Sequence, residues 1–249
     1  FLAAVLPVWV LLTPRDYLST FMKVGTITIL ALGIIIVRPL VEMSAVTEFA
    51  FNTAGPVFAG TLFPFLFITI ACGALSGMHA MVSSGTSPKM VEKETQVRMI
   101  GYGGMLMESF VAIMALAAAV SLSPGIYFSM NTSTATMNKL AGPETVAAAP
   151  CKTTDDPEHH CEKLAEVAVG NLGVTDAQGR KPTPEWDSWD DNGNPKTYTG
   201  AEALERLASD VGEPNVVSRT GGAPTLSVGI AHILHQIGGG RAMMGFWYH

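Results

Sequence analysis

Membrane-grade apolar sequence gives way, within about two helical turns, to small and polar residues over Leu62–Lys89, and this transition constrains the chain more than any other feature. The stretch runs Leu62-Phe-Pro-Phe-Leu-Phe-Ile-Thr-Ile-Ala-Cys-Gly-Ala-Leu-Ser-Gly-Met-His79-Ala-Met-Val-Ser-Ser-Gly-Thr-Ser-Pro-Lys89. Backbone that leaves regular helix at membrane depth needs polar partners or a water-filled cavity. Integral transporters build substrate sites from such interrupted helices. Only 14% of the residues are charged, against about a quarter in soluble domains. Residues 122–224 hold 8 Lys/Arg and 15 Asp/Glu, and the other 146 residues hold 7 and 6. The acidic pI thus describes one polar insert, and no basic patch points to nucleic acid.

Spanning hydrocarbon takes roughly 20 mostly apolar residues. On that scale the spans are about 1–12, 17–37, 57–81 and 99–122. The first is too short, so the chain is expected to be a central fragment of a longer protein. Thr13-Pro14-Arg15-Asp16 reads as a helix start, with Thr13 as cap, Pro14 at the first helical position and Asp16 as the capping-box acid. The helix beginning there should end near Arg38-Pro39. Val41–Pro56 is an interfacial helix or connector, and Ser87-Pro88 opens a short charged helix through Arg98. Residues 1–121 are therefore expected to form a transmembrane region and 122–224 an acidic insert with a helix over Ala201–Val211. Residues 225–249 are expected to hold a re-entrant or broken helix and the start of another span. The fold class is an all-α, multi-span membrane protein. Lys and Arg in 13–23 and 82–98 place those loops in the cytoplasm and the insert outside.

Long blocks of the sequence resemble the carbon starvation protein A (CstA) family. They are Pro14-Arg-Asp-Tyr-Leu-Ser-Thr-Phe21, Phe63–Ala71 with Cys-Gly-Ala-Leu-Ser-Gly-Met-His79, and Ser83-Ser-Gly-Thr-Ser-Pro-Lys-Met90. Gly101-Tyr-Gly-Gly-Met-Leu-Met-Glu-Ser109 and Arg219-Thr-Gly-Gly-Ala-Pro-Thr225 complete the set. The family usually has Phe where this chain has Met78. The resemblance implies a multi-pass bacterial inner-membrane transporter that takes up peptides during carbon limitation, or pyruvate, with a proton gradient as driving force. Its implied partners are the substrate, a coupling proton, the bilayer and the rest of the full-length transporter, with no cofactor.

Candidate site residues cluster where spans are interrupted. Glu108 lies about ten residues into the 99–122 span, where an ionised carboxylate must face a cavity or partner or take a proton. Its alternative role is a structural hydrogen bond. His79, after the small residues Ser76 and Gly77, could bind a carboxylate or relay protons, or simply bond a loop carbonyl. Ser83, Ser84, Gly85 and Thr86 could ligate an anion beside a helix start, or form a capped turn. Cys151 and Cys161 sit ten apart in the outward-facing insert, where a disulfide is the default. Zinc on these cysteines with His159 and His160 is disfavoured, because adjacent residues cannot easily all point at one metal. A membrane-embedded hydrolase using His79 and Glu108 lacks any His-Glu-x-x-His or Gly-x-Ser-x-Gly motif. A nutrient sensor binding ligand through its insert is the further alternative.

Overall fold

The computed structural model describes residues 8–51, 55–57, 60–74, 77–148, 160–190, 192–237 and 240–248, with backbone alone at 8–16, 65, 72–74, 78, 86, 147–148 and 240–243. Two long helices organise it. Helix α1 is Val8–Val37, of which Tyr17–Val37 is apolar and long enough to cross a bilayer; Glu94–Val120, which we label α5, also qualifies. Both leave apolar side chains uncovered, Ile35 and Ile113 being 68% and 67% exposed.

Between them the chain runs through a 3₁₀ turn at Glu48–Ala50, then α2 (Leu62–Ala74), α3 (Gly77–Met81), a π-helical turn (Val82–Thr86) and α4 (Ser87–Met90). Residues 75 and 76, inside the interruption expected near Gly73–Thr86, lie outside the described residues; the described departure from regular α-helix there is the π-helical turn at Val82–Thr86, and the helix before it begins at Leu62 rather than residue 57. Two helix starts differ from the sequence reading. Helix α1 is continuous through Thr13-Pro14. A single proline deletes one ladder donor, which an apolar helix can accommodate by local adjustment. Glu94 and Arg98 belong to the first turns of α5, not to the short helix at Ser87, which ends at Met90. Lys93, with extended backbone, separates the two.

The insert opens with α6 (Pro124–Asn131), α7 (Thr134–Ala141), α8 (Pro143–Ala148) and α9 (His160–Gly170). Ser123 caps α6, its Oγ accepting from the Ile126 N–H at 3.4 Å and from the Glu185 N–H at 3.1 Å. Strands β1 (Glu185–Trp189) and β2 (Pro195–Thr199) follow as an antiparallel hairpin, pairing Trp186 with Tyr198. The all-α expectation is corrected here. Asp190 Oδ1 accepts from the Asn192 and Asn194 N–H groups at 2.9 and 2.8 Å, and Gly193 takes φ 80°, so the polar run is a hairpin turn. Helix α10 (Ala201–Val211) has the expected bounds. Its Leu204, Leu207 and Val211 join Ile126, Met130, Met137, Leu164 and Trp186 in one core. Inside that core Asp210 accepts from Trp186 Nε1 at 3.1 Å and from Ser188 Oγ, and faces Arg206 Nε at 3.5 Å.

Helix α11 (Gly222–His235) then packs against α1 and α5, and α12 (Gly240–Tyr248) returns to the insert core through Met244. Fourteen residues make α11 too short to span. Its approach to α5 depends on glycine, because a Cβ at Gly229 would lie 2.5 Å from the Ala118 carbonyl oxygen. Gly229→Leu is expected to lever α11 away and to destabilise the full-length protein by about 1–3 kcal/mol, as overpacking does. A thermal-shift measurement checks this, and an unchanged midpoint would show that the two helices do not meet there.

Candidate substrate cleft

Helix α6 ends at Asn131, and the chain places that residue directly against the start of α11. Asn131 Nδ2 donates to the Tyr127 carbonyl at 3.0 Å and to Thr225 Oγ1 at 2.9 Å, and its Oδ1 accepts from the Gly221 N–H at 3.4 Å. Thr225 Oγ1 in turn donates to the Gly221 carbonyl at 3.1 Å. The approach to the motif is tied down as well. Ser218, at φ 56°, donates from its backbone to the Ser129 carbonyl and from its Oγ to the Thr132 carbonyl, each at 2.9 Å. Arg219 pairs with Glu213. These bonds hold a non-glycine residue in left-handed backbone, which costs on the order of 1 kcal/mol, and so fix where α11 begins.

Above that start lies a cleft of about 780 Å³, lined by α5 (Ala115, Ala119), α6 (Tyr127, Asn131), Ser133 and the Thr220–Thr225 turn. Gly221 is the helix cap and offers no side chain to the first-turn N–H groups, and a Cβ at Gly222 would meet open space. Pro224 has no N–H to leave bare. Orphan N–H groups and the helix dipole together favour an anion at such a point. The remaining wall is apolar, the usual make-up of a small-molecule site with a few convergent polar groups. A neighbouring apolar pocket of about 400 Å³ under the 43–69 segment shares Val57 and Tyr127 with the cleft.

The family model described as "Carbon starvation protein CstA" matches residues 1–184 and 188–249. This chain belongs to the CstA family. It is 50% identical over its whole length to "Peptide transporter CstA" of Escherichia coli (strain K12), of which it covers 30%. It is 49% identical to "Peptide transporter CstA" of Mycobacterium tuberculosis (strain ATCC 25618 / H37Rv), covering 27% of that protein. It is 47% identical to "Pyruvate/proton symporter BtsT" of Escherichia coli (strain K12), covering 31%. The chain therefore spans about three tenths of the length of these curated relatives. No solved structure matches it.

Within this stretch of the CstA family the residues singled out from sequence do not all meet. Glu108 lies on α5, exposed, seven residues before the cleft-lining Ala115, or about 10 Å along the axis. His79, on α3, is exposed. Ser83 and Ser84 Oγ both donate to the Ala80 carbonyl, at 3.1 and 2.7 Å, so their hydroxyls are turned onto their own helix. Gly77 and Gly85 face open space. Thr86 sits in the π-helical turn with only its backbone described, and Ser76 lies outside the described residues. Cys161 is buried at the start of α9 and is disulfide-bonded; Cys151 lies outside the described residues. His160 lies in the first turn of α9, and among the described residues no group of three His, Cys, Asp or Glu could hold a metal ion.

Asn131 was not visible as a site residue from sequence. The signal was there in the Arg219–Thr225 block, whose glycines and proline are unneeded for burial, but its partner lies 94 residues away from Thr225.

Proposed function

We propose that the full-length protein is a secondary transporter that imports small peptides or pyruvate across the bacterial inner membrane, driven by protons, and that the α5–α6–α11 cleft forms part of its substrate path. The observation that carries this reading is the cleft at an interrupted, non-spanning helix, in a chain whose relatives are named peptide transporters and a pyruvate/proton symporter. Peptides and pyruvate share a carboxylate, and the bare first turn of α11 suits one.

The arrangement of the helices supports an extracytoplasmic insert. The C-terminal ends of α1 and α5 both lie on the insert side, where Glu42 N–H donates to the Val120 carbonyl and Ala177 N–H to the Glu42 carbonyl. Lys89, Lys93 and Arg98 lie at or before the opposite end of α5, Arg15 precedes the apolar Tyr17–Val37 stretch of α1 and Lys23 falls in the second turn of that stretch, a bias toward a cytoplasmic side. The apolar faces of α1, α2 and α5 then meet lipid or the other spans of the full protein. Ser76, Gly77, His79, Ser83, Ser84, Gly85, Thr86 and Glu108 are assigned to the cytoplasmic half of the same path. Cys151 is assigned as the partner of Cys161, consistent with an oxidising outer compartment.

The test is uptake of labelled pyruvate and of labelled di- and tripeptides by cells lacking their own carriers and expressing the full-length protein, with and without a protonophore. Asn131→Leu removes the bonds that position Gly221 and Thr225. With each such stranded polar group worth about 1–3 kcal/mol, uptake is expected to fall by about tenfold or more at unchanged expression. Uptake that ignores the protonophore would refute the coupling, and uptake that ignores Asn131→Leu would refute the cleft.

A further inference from the structure

The far end of α11 carries two histidines that the cleft does not use. His232 is buried, and among the described residues its Nδ1 has no hydrogen-bond partner. His235 is 6% exposed, with Nδ1 against the Ala231 carbonyl at 3.2 Å. Their rings are 5.4 Å apart. Tryptophans of the insert enclose them, with Trp186 5.3 Å from His232 and Trp189 edge-on to His235 at 5.3 Å. His235 also borders a polar cavity of about 320 Å³ shared with Asp187, Ser188, Lys196 and Thr197. One histidine therefore meets a hydrophilic opening, the next lies one turn deeper, and the helix that bears both begins at the floor of the cleft.

We propose that His235 and His232 form a proton-binding pair on the insert side of the protein, reached through the Asp187–Lys196 cavity, whose protonation loosens the grip of the insert on α11. The inference deepens the transport reading and rests on it for its consequence. The existence of the pair as a proton site can be judged without any transport. In the step itself one proton from the surrounding solution adds to a neutral imidazole of the pair, and nothing else is made or broken.

The surroundings fix the direction of the effect. Asp187 from β1 and Asp210 from α10 favour the charged form, Lys196 of β2 lines the cavity, and Arg206 of α10 sits beside Asp210. Helices α1 and α5 meet α11 with apolar side chains such as Leu30, Met114 and Ala118, and α12 adds Met244 and Tyr248 to the adjoining core. Burial outweighs the two carboxylates and holds both histidines below the usual range, with His232 pushed down to about 4. A base whose folded pKa is lowered favours the neutral packed form. The packed form therefore loses stability as pH falls from the ordinary histidine value, about 6.5, toward the lowered one. Acid on the cavity side works against the contact of Trp186 and Trp189 with α11 and frees the helix whose other end forms the cleft floor.

Tryptophan fluorescence of the purified full-length protein, titrated from about pH 8 to about pH 4, reads the pair directly, because an imidazolium quenches an adjacent indole whereas neutral imidazole quenches it far less. The wild type is expected to dim on acidification, and His235→Asn with His232→Asn to remove most of that change. If those variants fail to fold, Trp186→Phe with Trp189→Phe, which keeps both imidazoles, is expected to remove it instead. A titration that survives loss of the histidines or of the two tryptophans overturns the proposal, whether or not the protein transports. In cells, His235→Asn is expected to lower proton-driven accumulation at least tenfold, and far more than exchange of substrate down its own gradient. An equal loss of both, or of neither, counts against a role in coupling, and a wild type that takes up nothing refutes the transport reading alone.

Discussion

Gly125→Ala is expected to unseat the β1–β2 hairpin from α6 within the insert. A Cβ at Gly125 would lie 2.1 Å from the Pro184 nitrogen and 2.3 Å from the Thr183 carbonyl carbon. Both are backbone atoms at the entry to β1, so no side chain can rotate to make room. Gly125 sits in the first turn of α6, whose cap Ser123 also bonds Glu185, so the clash lies where the hairpin is anchored to the helix. Relief requires β1 to shift, carrying Trp186 out of the core. Overpacking typically costs about 1–3 kcal/mol and more where backbone must move. The midpoint of thermal unfolding of the full-length protein should therefore drop by several degrees. Gly25, which faces open space on α1, is the matched control: alanine there should leave the midpoint unchanged or slightly raised.

Asp210→Ala is expected to be comparably damaging for an electrostatic reason. The Asp210 carboxylate is buried, accepts from Trp186 Nε1 and Ser188 Oγ, and faces Arg206. Removing one partner of a buried ion pair costs about 3–5 kcal/mol, because the remaining polar groups stay buried. Here the guanidinium also bonds the Trp189 carbonyl, so part of its hydrogen bonding survives and the lower end of that range applies. Thermal denaturation of the variant checks this, with Arg206→Met alongside it. Since Trp186 and Trp189 enclose the histidine pair, Asp210→Ala should also broaden the acid-induced fluorescence change. A variant as stable as the wild type would show that the network does not anchor β1 to α10.

How much of this was legible in the sequence depended on whether the signal was local. Helix α10 was readable because Leu204, Leu207 and Val211 repeat at helical spacing between Gly200 and Gly212, which cap it in positive-φ backbone. Turn signals stand in the sequence at Asp191-Asn-Gly-Asn-Pro195, yet nothing there marks the strands on either side as a hairpin. β1 holds two acidic residues in five, and its Trp186 is buried only because α10 and α11 cover it. The start of α5 is masked in the sequence because Glu94 and Arg98 look like loop residues, although acid in a first turn suits the helix dipole.

The cleft was half legible. The Arg219–Thr225 block and the short α11 both stood out, but Asn131, which organises them, is one polar residue at the end of an apolar run. Its value comes from a contact across 94 residues, and no periodicity reports such a contact. The histidines at 232 and 235 give no signal in the sequence, for the complementary reason. Three apart on an apolar helix, they resemble ordinary core positions until the insert places two tryptophans against them.

The central claim is that substrate enters the α5–α6–α11 cleft, and accessibility of Thr220 tests it most directly. With Thr220→Cys as the one added cysteine in the full-length transporter, labelling by a small maleimide is measured in membranes with and without pyruvate, dipeptide and tripeptide. Lys181→Cys, exposed in the loop before β1 and lining none of the cavities described, serves as reference. Whichever compound the protein takes up should slow labelling at Thr220→Cys several-fold and leave the Lys181→Cys rate unchanged. Equal labelling at Thr220→Cys with and without a compound that is demonstrably taken up would place the substrate elsewhere and contradict the account.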